Sequence, residues 1–169
     1  MSSGTNYNEG DKSYFSMNAY GYYGDDEEYM VNMMEKKEEP GVYWQYRSGD
    51  TQVLGLIVEK AFGQSISALV SERFMKPMGA NADALWLLDG AGKHEKAFCC
   101  FNAVARDYAK FGQLVLNKGS WNGKQIVSEK YIAEATTPAT SLKDRTENDQ
   151  PVDFYGYQYW MVNHSGVHA

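Results

Sequence analysis

The residues with the clearest chemical potential lie in the stretch Tyr46–Asp50, which reads YRSGD and leads directly into an apolar segment. Tyr46 carries a phenol and Ser48 a hydroxyl, and both groups can donate or accept a hydrogen bond. Side chains two positions apart in extended backbone point the same way, so the two would face one site together. Asp50 is suited to accept backbone N–H bonds as a helix cap. The stretch predicts either a proton-transfer site or a simple helix start, in which Tyr46 is only a half-buried aromatic residue.

Proton transfer by a phenol places a demanding condition on its surroundings. A phenol acts as a general base only if its pKa falls from about 10 towards about 7, which requires about 4 kcal/mol of stabilisation. A helix N-terminus supplies about 0.3–1 kcal/mol, and about 2 kcal/mol when it is partly buried. The remainder has to come from a close cation in a shielded place. Arg47 is poorly placed for this, because neighbouring side chains in an extended segment point in opposite directions.

The histidines do not form a convincing metal-binding set. His164 and His168 have the spacing of a ligand pair on a helix, but Gly166 lies between them in an expected turn, and no carboxylate accompanies them. His94 is far from both in the sequence. We therefore predict no metal site.

Two other pairs of neighbouring residues have a plain structural interpretation. Cys99 and Cys100 are adjacent and cannot join distant segments, so we expect two buried thiols on a strand. Arg106 and Asp107 are expected to form a surface or structural ion pair without a chemical role.

The elements that must position these residues are mostly predicted helices. Apolar residues at helical spacing place them at about residues 25–37, 51–62, 67–74, 103–117 and 129–136. Gly63, Asn102 and Ser128 are expected to cap three of them. Because the apolar residues of 51–62 run around most of its circumference, we expect this helix to be buried on several sides. The methionines of the first helix, Met30, Met33 and Met34, are expected to contact the core.

The remainder of the chain is expected to form a loop and a strand. Residues 138–152 are polar and predict a loop, whereas FYGYQYWMV, at about 153–163, predicts a strand. Several aromatic side chains are expected to pack in a core or sheet, with the wall of a substrate cleft as the alternative. They are Trp86, Phe98, Phe101, Tyr157 and Trp160.

Charge and hydropathy exclude some classes of partner. Residues 1–40 contain nine acidic and three basic side chains, and residues 41–169 contain thirteen of each. No basic stripe is present, so nucleic acid is not an expected partner. No apolar run approaches the roughly 18–20 residues that a membrane span needs. The first residues lack the pattern of a signal peptide, which leaves the localisation open between the cytoplasm and a longer precursor.

Three segments, taken in order along the chain, are YRSGDTQVLGLIVEKAFGQSISALVSERFMKPMGA, NAVARDYAKFGQLVLNKGSWNGKQIVSEKYI and YGYQYW. Together they resemble the serine β-lactamase-related hydrolases. This family includes class C β-lactamases, D-alanyl-D-alanine carboxypeptidases, esterases and 6-aminohexanoate-dimer hydrolases, and the last group is the most similar. The resemblance implies an α/β (α+β) fold of the β-lactamase/transpeptidase type, in which a mostly helical part lies beside an antiparallel sheet. Residues 1–169 would form part of one such domain, holding most of the helical part and one strand of the sheet.

Enzymes of this family carry three active-site elements, S-x-x-K, Y-x-N or Y-x-S, and K-T-G or H-x-G. The second matches Tyr46-Arg47-Ser48. The resemblance implies that Tyr46 acts in proton transfer and that Ser48 hydrogen-bonds the substrate or holds the lysine. No S-x-x-K occurs in the sequence. His164-Ser165-Gly166 matches the H-x-G form of the third element, but its position directly after YGYQYWMVN also suits a hairpin turn.

The resemblance implies part of a longer enzyme, truncated at both ends. The enzyme would cleave an amide or ester bond through an acyl-serine intermediate, without a metal or an organic cofactor. Small amide, ester or peptide substrates are its expected partners, and the fragment alone is expected to be inactive. One alternative is a non-catalytic relative that binds a peptide or a cell-wall fragment, and another is a purely structural helical domain.

Overall fold

The structure, a computed structural model, describes residues 1–8, 24–144, 147–161, 163–164 and 167–168. The chain forms two compact units. The first unit consists of Met1–Thr5, Lys36–Tyr46 and Leu114–Ala169, and the second consists of Asn6–Glu35 and Arg47–Gln113. Each unit combines segments that are distant in the sequence, so its packing depends on long-range contacts.

Five α-helices lie close to the predicted positions. They are α1 (Asp26–Met33), α2 (Ser48–Phe62), α3 (Ile66–Val70), α4 (Ala105–Leu116) and α5 (Glu129–Ala135). A π-helical segment, Ser71–Met75, follows α3 directly. Within the described residues, no single helix is long and apolar enough to cross a bilayer. Helix α2 and the segment Ile66–Met75 reach the required length and apolar character only when they are taken together, and they meet at an angle of 76°.

The helix ends agree only in part with the predicted caps. Gly63 ends α2 in the left-handed conformation with φ of 63°, and the Ser128 hydroxyl accepts a hydrogen bond at the start of α5, as predicted. The predicted cap at Asn102 is wrong, because this residue lies in a strand and its side chain donates to the Cys100 carbonyl over 2.9 Å. The predicted cap at Asp50 is also wrong, because α2 begins two residues earlier.

Nine short strands complete the described chain. They are β1 (Tyr43–Trp44), β2 (Leu85–Trp86), β3 (Phe101–Asn102), β4 (Ser120–Trp121), β5 (Lys124–Gln125), β6 (Lys143–Asp144), β7 (Gln150–Pro151), β8 (Asn163–His164) and β9 (Val167–His168). In the first unit, β6 pairs parallel with β1 and antiparallel with β7. Three antiparallel pairs, β2–β3, β4–β5 and β8–β9, account for the others.

The core of the second unit is formed around Tyr7, Met30 and Leu56, all of them buried. Met34 packs against this cluster, which confirms the expected core contacts for two of the three methionines. Met33 instead is 45% exposed. The helix α1 ends at this residue and the next is extended, so the helical face predicted to continue to residue 37 is interrupted.

Helix α2 is less buried than its composition suggests. Its apolar residues Leu54, Ile57, Val58 and Phe62 are exposed. The buried face includes Gln52, whose side-chain amide donates to the Glu95 carbonyl over 3.1 Å and accepts from the Ala97 N–H over 2.8 Å. A polar residue therefore occupies the buried face, because backbone groups satisfy its amide. The expectation of burial on several sides was wrong.

The core of the first unit contains Trp44, Val152 and Tyr155. Strands β6 and β7 lie within residues 138–152, where a loop was expected, because β6 pairs with β1 from a distant part of the chain. Residues 153–161 do not form the expected continuous strand. The chain turns at Gln158, which has φ of 63°, and folds back so that Tyr155 forms a single bridge with Trp160.

Candidate functional site

Tyr46 lies in the first unit, two residues after β1, and is partly accessible to solvent. The residue is 39% exposed, so it is not sealed inside the core. Its ring centroid lies 5.5 Å from that of Trp160, and the two ring planes are inclined by 31°. Aromatic rings at this centroid distance attract each other beyond the effect of the area that they bury. The contact therefore limits the orientations that the Tyr46 ring can adopt.

Trp160 connects Tyr46 to the aromatic core of the first unit. Its ring stacks on Phe154 with centroids 6.0 Å apart and planes inclined by 19°. Tyr155 and Trp44 meet it edge to face, at centroid distances of 5.0 and 6.1 Å. Of the aromatic residues singled out in the sequence, Trp160 is thus the one that the structure brings to Tyr46. Its position follows from the turn after Tyr155, which a strand interpretation could not reveal.

Ser48 is the first residue of α2 in the second unit and is buried. Arg47 precedes the helix in an extended conformation and is only 1% exposed. A Cβ atom at Gly49 would lie 2.9 Å from Cδ2 of Tyr7, so glycine permits the close approach of the ring to the helix. This packing fixes the backbone at the start of α2, and with it the position of Ser48.

His94 lies among carboxylates in the second unit. Its Nδ1 is 2.6 Å from an oxygen of Glu59, and its Nε2 is 3.5 Å from an oxygen of Glu27. Burial lowers the pKa of His94, but the carboxylates of Glu59, Asp89 and Glu27 outweigh burial and raise this pKa above its ordinary value. No group of three or more His, Cys, Asp or Glu side chains in the described part of the chain is arranged to hold a metal ion.

Two glutamates beside His94 share their environment. Burial raises the pKa of Glu59, and its hydrogen bond with the Glu95 carboxyl adds to the effect. Burial also acts to raise the pKa of Glu95, but hydrogen bonds from Ser67 and Glu59 outweigh it and lower the value. The two neighbouring carboxyl groups therefore have pKa values shifted in opposite directions, upward for Glu59 and downward for Glu95.

The second unit also contains buried charges that the sequence did not reveal. Asp26 is fully buried at the start of α1, and its backbone N–H donates to Asp89 over 3.2 Å. Burial raises the pKa of Asp26 to about 6, and the charge of Asp89 acts in the same direction. Burial lowers the pKa of Lys96, although both aspartates oppose this change. The sequence shows Asp26 only as one member of the acidic run DDEE, with no signal that separates it from its neighbours.

The two cysteines are bonded to each other, so the expectation of two buried thiols on a strand was wrong. Cys99 and Cys100 form a disulfide between adjacent residues, both partly buried, immediately before β3. Cys100 has φ of 68°, in the left-handed region that few non-glycine residues adopt. The Trp86 indole N–H donates to the Cys99 carbonyl over 2.8 Å.

Two further sequence hypotheses have different outcomes. Asp107 pairs with Lys110 over 3.0 Å and accepts the Asn81 N–H, so the expected pairing with Arg106 was wrong. For His164-Ser165-Gly166, the second and third residues lie outside the described part of the chain. His164 pairs through its backbone with Val167, so the triplet stays either a hairpin turn or the third active-site element.

Comparison with solved structures defines the fold as the β-lactamase/transpeptidase type. The chain is similar to a candidate 6-aminohexanoate-dimer hydrolase from Bacillus anthracis, with 28% sequence identity, a TM-score of 0.60, and coverage of 77% of this chain and 31% of that one. An octameric penicillin-binding protein homologue from Pyrococcus abyssi matches with 18% identity, a TM-score of 0.63, and coverage of 85% and 36%. A penicillin binding protein from Bacillus halodurans matches with 15% identity, a TM-score of 0.60, and coverage of 85% and 48%.

The family assignment comes from the whole sequence. The model of the Beta-lactamase family matches residues 1–169. The chain therefore belongs to the β-lactamase family, as the order of its segments indicated. It spans between 31% and 48% of the length of the three solved structures described above.

Proposed function

We propose that this chain is part of a serine hydrolase that cleaves amide or ester bonds through an acyl-serine intermediate. Family membership over residues 1–169 supports an acyl-transfer reaction. The observation that carries the proposal is Tyr46 of the Y-x-S element, which stands 39% exposed directly before the buried start of α2. A phenol sealed in the core could not reach a substrate, and this one is not sealed.

In the proposed reaction, the serine of an S-x-x-K element in the complete protein attacks the substrate carbonyl. Its proton passes through the lysine and Tyr46 to the departing amine or alcohol, and backbone N–H groups stabilise the oxyanion. Water then hydrolyses the acyl-serine. Ser48 hydrogen-bonds the substrate or holds the lysine. Because the 169 residues contain no S-x-x-K, we propose that they do not turn over substrate alone.

The proposed substrates are small amides, esters or peptides. The name of the Bacillus anthracis structure refers to a 6-aminohexanoate dimer, and two other neighbours are named for binding penicillin. These names favour a carbonyl compound of low molecular weight. The proposed reaction requires no metal and no organic cofactor.

The test is labelling of the complete reading frame with a fluorophosphonate or penicillin probe. We expect one serine, followed three residues later by lysine, to be acylated. Tyr46→Phe should slow labelling by about 100-fold or more, the usual contribution of general acid–base catalysis. Tyr131→Phe is the control, because Tyr131 is 50% exposed and lies elsewhere in the chain. A complete protein without S-x-x-K, or Tyr46→Phe labelling at the wild-type rate, would contradict the proposal.

The second candidate is a non-catalytic relative that binds a peptide or a cell-wall fragment. A reading frame that starts naturally at Met1, with peptide binding but no acylation, would support the binding function. An S-x-x-K element upstream of Met1 would support the hydrolase.

A further inference from the structure

A cavity of about 490 Å³ lies in the first unit. Its lining includes no residue of the Y-x-S element and none of the carboxylates around His94. It is lined by the end of α4, by α5 and by the segment Tyr159–Met161. Apolar side chains, including Leu116, Ile132 and Met161, form most of its wall. Its volume lies within the range of about 300–1,000 Å³ that small-molecule sites occupy.

The polar groups around the cavity are satisfied by one another. Lys118 and Glu129 form an ion pair with 2.9 Å between nitrogen and oxygen, so together they contribute no net charge. The Thr136 hydroxyl donates to the Ile132 carbonyl over 2.8 Å. An ionised ligand group placed here would lose its hydration without gaining a free counter-charge. The lining therefore favours an uncharged ligand.

Tyr159 adds a neutral hydrogen-bonding group to the wall. Burial raises the pKa of Tyr159, and the charge of Tyr131 acts in the same direction. Its hydroxyl consequently stays protonated at neutral pH and can both donate and accept a hydrogen bond. Apolar walls with one such group are typical of sites that bind a hydrocarbon chain and orient one polar atom.

The cavity is connected to the candidate phenol through Trp160. This residue lines the cavity, and its ring centroid lies 5.5 Å from that of Tyr46. A ligand that fills the cavity would thus contact the side chain that limits the orientation of Tyr46. We propose that the cavity binds the uncharged alkyl or aryl part of the amide or ester substrate. The role of this cavity in catalysis rests on the proposed function.

The first test measures the binding of a series of neutral amides, from acetamide to hexanamide, to this chain. The Trp160 indole N–H signal, assigned with Trp160→Phe, reports occupancy by NMR. We expect the Kd to fall about fourfold for each added methylene until the cavity is full. The amide 6-aminohexanamide should bind at least about tenfold more weakly than hexanamide, because its ammonium group would be desolvated. A Kd that does not depend on chain length, or equal binding of hexanamide and 6-aminohexanamide, would overturn the inference.

The second test introduces a charge at the cavity wall. Leu116 is 78% exposed, so Leu116→Glu should not prevent folding. We expect this variant to weaken hexanamide binding by about tenfold and to improve binding of 6-aminohexanamide. Val31→Glu is the matched control, because Val31 is 73% exposed and belongs to the second unit. Equal effects of the two substitutions would refute the assigned pocket.

The amide-binding experiment and the serine-labelling experiment can each give a negative result independently of the other. Chain-length-dependent binding with no serine labelling in the complete protein would support the pocket and contradict the hydrolase. Serine labelling with no amide binding at Trp160 would support the hydrolase and overturn the pocket.

Discussion

Replacement of Asp26 by asparagine should stabilise the chain in a strongly pH-dependent manner. The carboxyl is fully buried, and burial raises its pKa from 3.8 to about 6. A change of about 2 units corresponds to about 3 kcal/mol, at about 1.4 kcal/mol for each unit. Loss of the carboxylate at the start of α1 would offset about 0.3–1 kcal/mol of this gain through the helix dipole. We therefore expect Asp26→Asn to raise the free energy of unfolding by about 2–3 kcal/mol at pH 8.

The direction of the pH dependence follows from the raised pKa. The folded state holds the Asp26 proton more tightly than the unfolded state, so the stability that this proton provides is fully present below pH 3.8. That stability is lost as the pH rises through about 6. Asparagine cannot ionise and does not show this loss. The stability difference between Asp26→Asn and wild type should therefore be large at pH 8 and close to zero in acid.

Urea unfolding followed by tryptophan fluorescence at several pH values between about 3.5 and 8 measures this difference. Asp153→Asn provides the control, because Asp153 is exposed and the same substitution there should leave stability unchanged. A difference between Asp26→Asn and wild type that stays constant with pH would refute the reasoning. A variant less stable than wild type at pH 8 would show that the electrostatic attraction between Asp26 and Lys96 outweighs the burial of the Asp26 charge.

Three further substitutions test the packing and the caps. Leu114 is completely buried, so Leu114→Ala should lower the free energy of unfolding by about 2–5 kcal/mol, as measured with urea. A decrease below about 1 kcal/mol, close to that of a surface substitution, would contradict the place of Leu114 in the core. Gly49→Ala should cost about 1–3 kcal/mol by forcing its Cβ against Tyr7, and unchanged stability would show that the ring moves aside freely. Ser128→Ala should cost about 1 kcal/mol and speed hydrogen exchange at the Tyr131 N–H, whereas unaltered exchange would argue against the cap.

Helices and several of their ends could be predicted because their signals are local. Gly63 and Ser128 act within one turn of their own helices, and the neighbouring residues in the sequence are sufficient to identify them. Asn102 is an equally good cap by composition, yet it pairs with Leu85 as part of a strand. The competing interaction comes from a residue distant in the sequence, so no local pattern could reveal it.

Strands were predicted less well than helices for the same reason. Each described strand contains two residues, which is too short for an alternating pattern. The pairing of Tyr43 with Lys143 joins positions that are far apart in the chain, and it converts part of an expected loop into sheet. Conversely, FYGYQYWMV has strong strand composition but contains the turn at Gln158.

The sequence proposes Tyr46 and Ser48 as the candidate site, but it does not reveal the surroundings of these residues. The three-letter Y-x-S pattern identifies side-chain chemistry without identifying neighbours. The contact between Tyr46 and Trp160 depends on a turn more than a hundred residues later, and the burial of Asp26 and Lys96 depends on tertiary packing. Burial raises the pKa of Asp26 and lowers the pKa of Lys96, so these shifts could not be inferred from composition.

The surroundings of Tyr46 constrain how it could take part in catalysis. Trp160 orients its ring, but the face of an indole carries negative electrostatic potential and does not stabilise a phenolate. Such a phenolate requires a close cation in a shielded place. If Tyr46 is part of a proton relay, its activity therefore depends on the lysine of S-x-x-K, which these residues lack. Orientation by Trp160 and activation by lysine are then separate requirements, and only a protein that meets both would transfer the proton.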